Sequence, residues 1–341
     1  MKDKVKNILS AGVVFALLAW TARTILREQT PGQLRGALLG ADWRVLLLGV
    51  LLMALCLCCE AKATHSILRT LGCPQPFRKC AYYSGVGFFF STITPSSTGG
   101  QPAQVVAMKR DGVPAASGTL DMLLVTIGYN TAAMVWGVFA LFTNRRLAQR
   151  LGSGVELLLG VGLAGLVLLD VGMLLFLFLP GPAKRLLHGG IGVAARVFPR
   201  LDRERLADLA DAQLAKYRRG AELVRRAPAL LAQVVGLSVA QLSCSYAIPY
   251  VVYRAFGLSG TGPGQIAALQ ALCSIAVGYL PLPRSAGAME NVLLRSFLLI
   301  YGEALVAPAM ILTRTMNCYL VLAATGLMLA AGRALRRPAP G

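Results

Sequence analysis

Apolar residues run along this chain in blocks of about 20, the length an α-helix needs to cross the hydrocarbon core of a bilayer. Full spans are predicted at 8–26, 45–67, 116–143, 154–180, 229–253 and 306–332. Two further apolar stretches, 81–110 and 265–302, do not read as simple spans, because proline and glycine interrupt each near its middle. The one sizeable polar region is 181–228, where Leu206, Ala210, Leu214 and Tyr217 recur at helical spacing after Asp202, a residue suited to capping a helix start. It reads as a cytoplasmic basic connector, a surface helix joining two membrane halves, with contact to a lipid surface or a partner as the alternative. The expected fold is all-α and membrane-integral: one domain over 1–341, a polytopic helical bundle of about six full spans plus two re-entrant broken hairpins. Its halves lie at 45–143 and 229–332.

Composition agrees with the pattern. The chain is 56% hydrophobic and 14% charged, with mean hydropathy +0.62, against about 25% charge in soluble domains. No small-residue cleavage site follows the first apolar run, so a cleaved signal peptide is not expected. The formal charge of +19 lies in the connections between spans, which argues for topology and anionic lipid rather than nucleic acid. With the N-terminus inside and each broken stretch entering and leaving on one side, the inside segments hold 23 of the 34 basic residues. That satisfies the positive-inside rule and puts both termini on the cytoplasmic side of the cell's inner membrane. Were each broken stretch to cross fully, 181–228 would face outside with its 11 basic residues.

Catalytic and metal chemistry has little material. Cys56, Cys58 and Cys59 sit inside an apolar run, no paired CxxC motifs occur, and His65 and His188 are isolated. No metal, cofactor or catalytic residue is expected. No G-x-x-x-x-G-K-[ST] phosphate loop occurs either, so any driving force would be a gradient or the proton motive force.

The two broken stretches resemble each other. One reads PSSTGGQPAQVV from Pro95 and the other PRSAGAMENVLL from Pro283, so Pro95 matches Pro283 and Gly99 matches Gly287. Each follows one span and precedes another, and by the topology above they enter from opposite sides, as an inverted repeat. Irregular backbone at membrane depth survives only when buried in protein or lining a wet cavity. Gly99 and Gly100 suit a tight turn and close approach, and Pro102 suits the first turn of the returning helix. That helix start directs free N–H groups toward mid-membrane, which favours an anion such as a phosphate. Matched broken segments are the usual pointer to a transporter's binding site, with the halves rocking about it. Proline kinks in ordinary packed helices are the plainer alternative.

Ionisable residues within spans are costly and usually face a cavity or a partner. Asp121, Arg284, Glu290, Arg295 and Arg314 are such residues. Glu290 is placed to pair with Arg314, and Asp121 to face Arg284 or Arg295; static pairing that pins helices is the competing role. In the functional reading, arginines and helix starts hold a lipid phosphate, while Asp121 or Glu290 carries a proton or coupling ion. Glu60, Asp170 and Glu303 lie nearer predicted span ends and read as interfacial. Thr98, Gln101 and Gln104 flank the first break, and the two glutamines share a helical face suited to a head group or to packing.

The segments TPSSTGGQPAQVVAMKRDGVP, PLPRSAGAMENVLLRSF and APAMILTRTMNCYLVL resemble the lysylphosphatidylglycerol synthase transmembrane family, the flippase-like membrane half of the multiple peptide resistance factor. The likeness runs from about 45 to 330. Carried over by position it points to Pro95, Gly99, Gly100, Pro283, Gly287, Glu290 and Arg314. One departure is Arg284-Ser285-Ala286, where the family is often glycine-rich. The resemblance implies movement of a phospholipid, such as aminoacylated phosphatidylglycerol, or of a lipid-linked sugar between leaflets. The alternatives are a phosphatidylglycerol lysyltransferase or the membrane subunit of a separate lipid-modifying enzyme. In fused relatives lysyl transfer uses a large cytosolic domain after the membrane part. This chain ends soon after its last predicted span, so transfer by the chain alone is not expected.

Overall fold

A computed structural model describes residues 36, 38–94, 97–143, 153–178, 185, 189, 218, 221, 222, 224–278 and 288–335. The predicted span 8–26 and nearly all of the connector 181–228 lie outside them, as do Pro95, Pro283, Arg284 and Gly287 and the side chains of Glu290 and Arg295. Among the described residues every regular element is helical: α1 (Trp43–Thr70), α2 (Phe77–Ile93), α3 (Gly100–Arg110), α4 (Ala115–Thr143), α5 (Ser153–Phe178), α6 (Pro228–Ala255), α7 (Pro263–Gly278), α8 (Ala288–Arg314), a π-helical turn (Thr315–Tyr319) and α9 (Leu320–Leu335).

The helix ends follow from local chemistry. Asp42 caps α1, its Oδ1 accepting from Arg44 N at 2.9 Å. Pro228 starts α6 in the first turn, where its missing N–H is no loss. Gly302 divides α8 at φ 72°, ψ 172°, a conformation open essentially to glycine alone. The stretch 288–301 is therefore one arm, and 303–335 is a separate long helix carrying the π turn.

Among the described residues four stretches are long and apolar enough to cross a membrane: α1, α4, α6 and Ser296–Ala330; Gly160–Leu174 in α5 is a shorter apolar helix. Large apolar side chains remain exposed on α1 (Leu47, Leu51, Leu55), α4 (Val135, Val138, Phe142) and α5 (Val161, Leu168). In water such patches would drive aggregation; in a bilayer they meet lipid tails. This is an all-α polytopic membrane fold.

α1 and α6 form the centre, packed along their length. They run antiparallel, because Asp42 N at the start of α1 donates to Ala255 O at the end of α6, at 2.9 Å. α2 packs on α1, α3 and α9; α7 packs on α6, α8 and α4. Shifting the numbering by the 188 residues between Pro95 and Pro283 brings the starts of α1, α2 and α3 within three residues of those of α6, α7 and α8, and the start of α4 onto 303. The contact order follows the same shift, α1–α2 matching α6–α7 and α2–α9 matching α7–α4.

Candidate functional site

The first broken stretch is a helical hairpin. α2 has 17 residues and α3 has 11, so the arms reach about 26 Å and about 17 Å at 1.5 Å per residue, short of the ~30 Å hydrocarbon core. Thr94 holds the turn: Gly99 N donates to its Oγ1 at 2.9 Å, and that hydroxyl donates to Phe90 O at 2.6 Å. Among the described turn residues the left-handed one is Ser97 (φ 57°), whereas Gly99 is right-handed at φ −82°. The value of Gly100 is close approach. A Cβ there would lie 2.7 Å from Gly87 O on the opposite arm, and a Cβ on Gly87 would collide with the Gln104 side chain. At the open end, Tyr83 Oη donates to Asp111 Oδ2 at 2.8 Å and Lys79 Nζ stands 3.9 Å from the same oxygen.

The hairpin rests on a buried acid. Gln104 Nε2 donates to Glu60 Oε1 at 3.0 Å, and Gln241 Nε2 of α6 donates to Glu60 Oε2 at 3.1 Å. One carboxylate on α1 thus joins the hairpin to the second half. Thr64 lies one turn along α1 on the same face. Its hydroxyl is placed as a donor toward Asp121 of α4, and the Ser84 hydroxyl of α2 toward Glu60, though neither meets strict hydrogen-bond geometry. Glu60, Thr64, Ser84, Gln104, Asp121 and Gln241 are all buried, Asp121 completely. Neither Asp121 oxygen has a hydrogen-bond partner, nor does Gln104 Oε1. Such groups are costly inside a protein and call for an explanation.

The residues expected at the site divide. Asp121 joins the buried cluster, and so does Gln104, though bonded to Glu60 rather than turned toward a head group. Gln101 does not share that face: it is exposed, and its Nε2 donates to Thr126 Oγ1 of α4 at 2.6 Å. Thr98 is exposed, Gly99 half-buried and Gly100 buried. Arg314 is half-buried, at the last residue before the π turn, a local distortion frequent at functional sites. Nearby Thr313 Oγ1 and Asn317 Oδ1 are buried without hydrogen-bond partners. Glu290 lies in the first turn of α8, and whether its carboxylate meets Arg314 lies outside the described side chains.

Sequence reasoning placed Glu60 at an interface; it is 8% exposed and lies at the middle of the cluster. Asp170, also read as interfacial, is buried against α4, accepting from Asn130 Nδ2 at 3.0 Å and Thr131 Oγ1 at 3.1 Å. Ser84, Thr64 and Gln241 were not singled out. The available signal was the face of α1: Cys56, Glu60, Thr64 and Ile67 form one buried stripe, while Lys62 on the other side is exposed.

The sequence model for the lysylphosphatidylglycerol synthase TM region matches residues 7–325, nearly the whole chain. The chain belongs to this family. As a lysylphosphatidylglycerol synthase TM-region protein with several apolar helices, it is a multi-pass membrane protein tied by family to membrane lipid. No curated protein matches the chain.

Proposed function

We propose that this protein moves a phospholipid, such as aminoacylated phosphatidylglycerol, or a lipid-linked sugar between the leaflets of the cytoplasmic membrane, with both termini on the cytoplasmic side. The observation that carries the reading is the α2–α3 hairpin: two arms too short to cross, bound through Gln104 to a buried carboxylate. A chain that only spanned the bilayer would have no use for a hairpin and orphaned oxygens at that depth. The antiparallel run of α1 and α6, which correspond under the 188-residue shift, supports two halves of opposite orientation.

In this proposal the head group meets the breaks of both halves. Pro95, Thr98, Gly99, Gly100 and Gln101 offer the first, with Gln104 behind them; Pro283, Arg284, Gly287 and Glu290 offer the second; Arg314 supplies positive charge from the last long helix. Guanidinium groups and helix starts suit a lipid phosphate. Asp121 and Glu290 are the carriers of a coupling proton or ion. The test is a leaflet-exchange assay in proteoliposomes with a panel of labelled lipids. Wild type is expected to exchange at least one of them, and Arg314→Ala and Glu290→Gln to slow it. Equal exchange by wild type and both folded variants sinks the assignment.

A second reading rests on the family's description as part of a synthase: the chain is a phosphatidylglycerol lysyltransferase, or the membrane subunit of a separate lipid-modifying enzyme. Incubation with lysyl-tRNA and phosphatidylglycerol, alone and with a candidate soluble transferase, separates the readings. Lysyl lipid formed by the purified chain alone favours this second one.

A further inference from the structure

Five buried oxygens in the α1–α4 cluster have no hydrogen-bond partner: Thr64 Oγ1, Ser84 Oγ, Gln104 Oε1 and both oxygens of Asp121. They come from four helices and surround two carboxylates that feel each other's charge. Glu60 accepts from two amides, whereas the donor turned toward Asp121 is the Thr64 hydroxyl alone. Among the described residues no Lys, Arg or His forms an ion pair with either acid. Two buried carboxylates thus have no cationic side chain beside them among the described residues, and a cation beside Asp121 would offset the charge they carry when ionised. A proton on Asp121 bridges at most two of these oxygens. A hard cation takes five or six oxygens at once and accepts carboxylate, hydroxyl and amide oxygens alike. Among the described residues no group of three or more His, Cys, Asp and Glu is placed to hold a metal ion, so the oxygen donor set suits a monovalent ion rather than a transition metal.

We propose that Asp121, Thr64, Ser84, Gln104 and Glu60 form a dehydrated sodium site at the foot of the hairpin. The inference deepens the transport reading and rests on it for its purpose: the ion would fix Gln104, and with it α3, against α1. Its binding can be measured without any lipid movement.

The full chain is purified in detergent, and its thermal unfolding is followed by intrinsic fluorescence in sodium chloride against choline chloride at equal ionic strength. A saturable upward shift of the midpoint with sodium, and none with choline, is expected, together with retention of radioactive sodium by the purified protein. Asp121→Asn is expected to abolish both. Thr64→Val leaves the charge in place and is expected to raise the half-saturating sodium concentration by about tenfold or more; it serves as the readout should Asp121→Asn not fold. Asp170→Asn, a buried acid outside the cluster, keeps the sodium response. Equal midpoints in sodium and choline overturn the site, as does a sodium response unchanged by Thr64→Val and by any folded Asp121→Asn. Sodium binding without lipid exchange keeps this inference and sinks the transport reading; exchange without a sodium response does the reverse.

Discussion

Shifted by 188 residues, Glu60, Thr64, Ser84, Gln104 and Asp121 fall on Ile248, Val252, Leu272, Val292 and Ala309. Ile248, Val252, Leu272 and Ala309 are buried like their counterparts, so both halves bury these places and one fills them with oxygen while the other fills them with hydrocarbon. The reverse holds for charge. Arg284, Glu290, Arg295 and Arg314 fall on Ser96, Pro102, Ala107 and Thr126. The correspondence under the shift lies in the helix framework; the side-chain chemistry differs, with the buried acid and hydroxyl cluster at the earlier positions and the guanidinium groups, with Glu290, at the later ones. A shared backbone path therefore says little about where a polar site lies, because burial alone is met equally well by an apolar side chain.

The comparison predicts unequal outcomes from matched substitutions. Glu60→Ala leaves two buried amide donors without an acceptor, at about 2–4 kcal/mol, and is expected to abolish lipid exchange. Ile248→Ala opens a cavity costing about 2–5 kcal/mol and is expected to leave exchange by the surviving folded protein intact. Thermal unfolding in detergent, paired with exchange in vesicles, checks both; loss of exchange in each alike would end the division of labour between halves. Gly100→Ala comes next. Its new Cβ meets backbone, so the hairpin arms must part, at about 1–3 kcal/mol with slowed exchange. The second half already carries Ala288 at that place, and Ala288→Gly is expected to cost less than about 1 kcal/mol. Smallest is Tyr301→Phe, which removes the hydroxyl donated to Pro249 O and is expected to cost about 1 kcal/mol, read as a lowered unfolding midpoint with exchange unchanged.

Much of this framework was legible in the apolar pattern. The spans expected at 45–67, 116–143 and 229–253 lie inside α1, α4 and α6, with bounds extended by at most three residues. Hydropathy reads such helices well because lipid leaves the backbone no other way to be satisfied. The site was less legible. Glu60 lies seven residues from the end of its expected span, and one-dimensional distance from an end cannot tell a lipid-facing acid from one turned inward. Helical phase could have, through Cys56 and Ile67. The parting of Gln101 and Gln104 was illegible: side chains three residues apart diverge by about 60°, enough for one to face α1 and the other α4 once α3 lies between them. The turn, too, was assigned to glycine for its freedom, whereas Ser97 takes the left-handed place and Gly100 is small because the arms cross there.

The seam between α1 and α6 is stitched at one end by Asp42 on Ala255 and partway along by Gln241 on Glu60. Two helices so joined behave as a keel: they resist sliding past each other, and a see-saw of whole halves would have to tear both stitches at every cycle. The lighter parts are outboard. α3 is tied to the keel by one amide and to α4 by another, so any swing of this arm has to release Gln104 and Gln101 together.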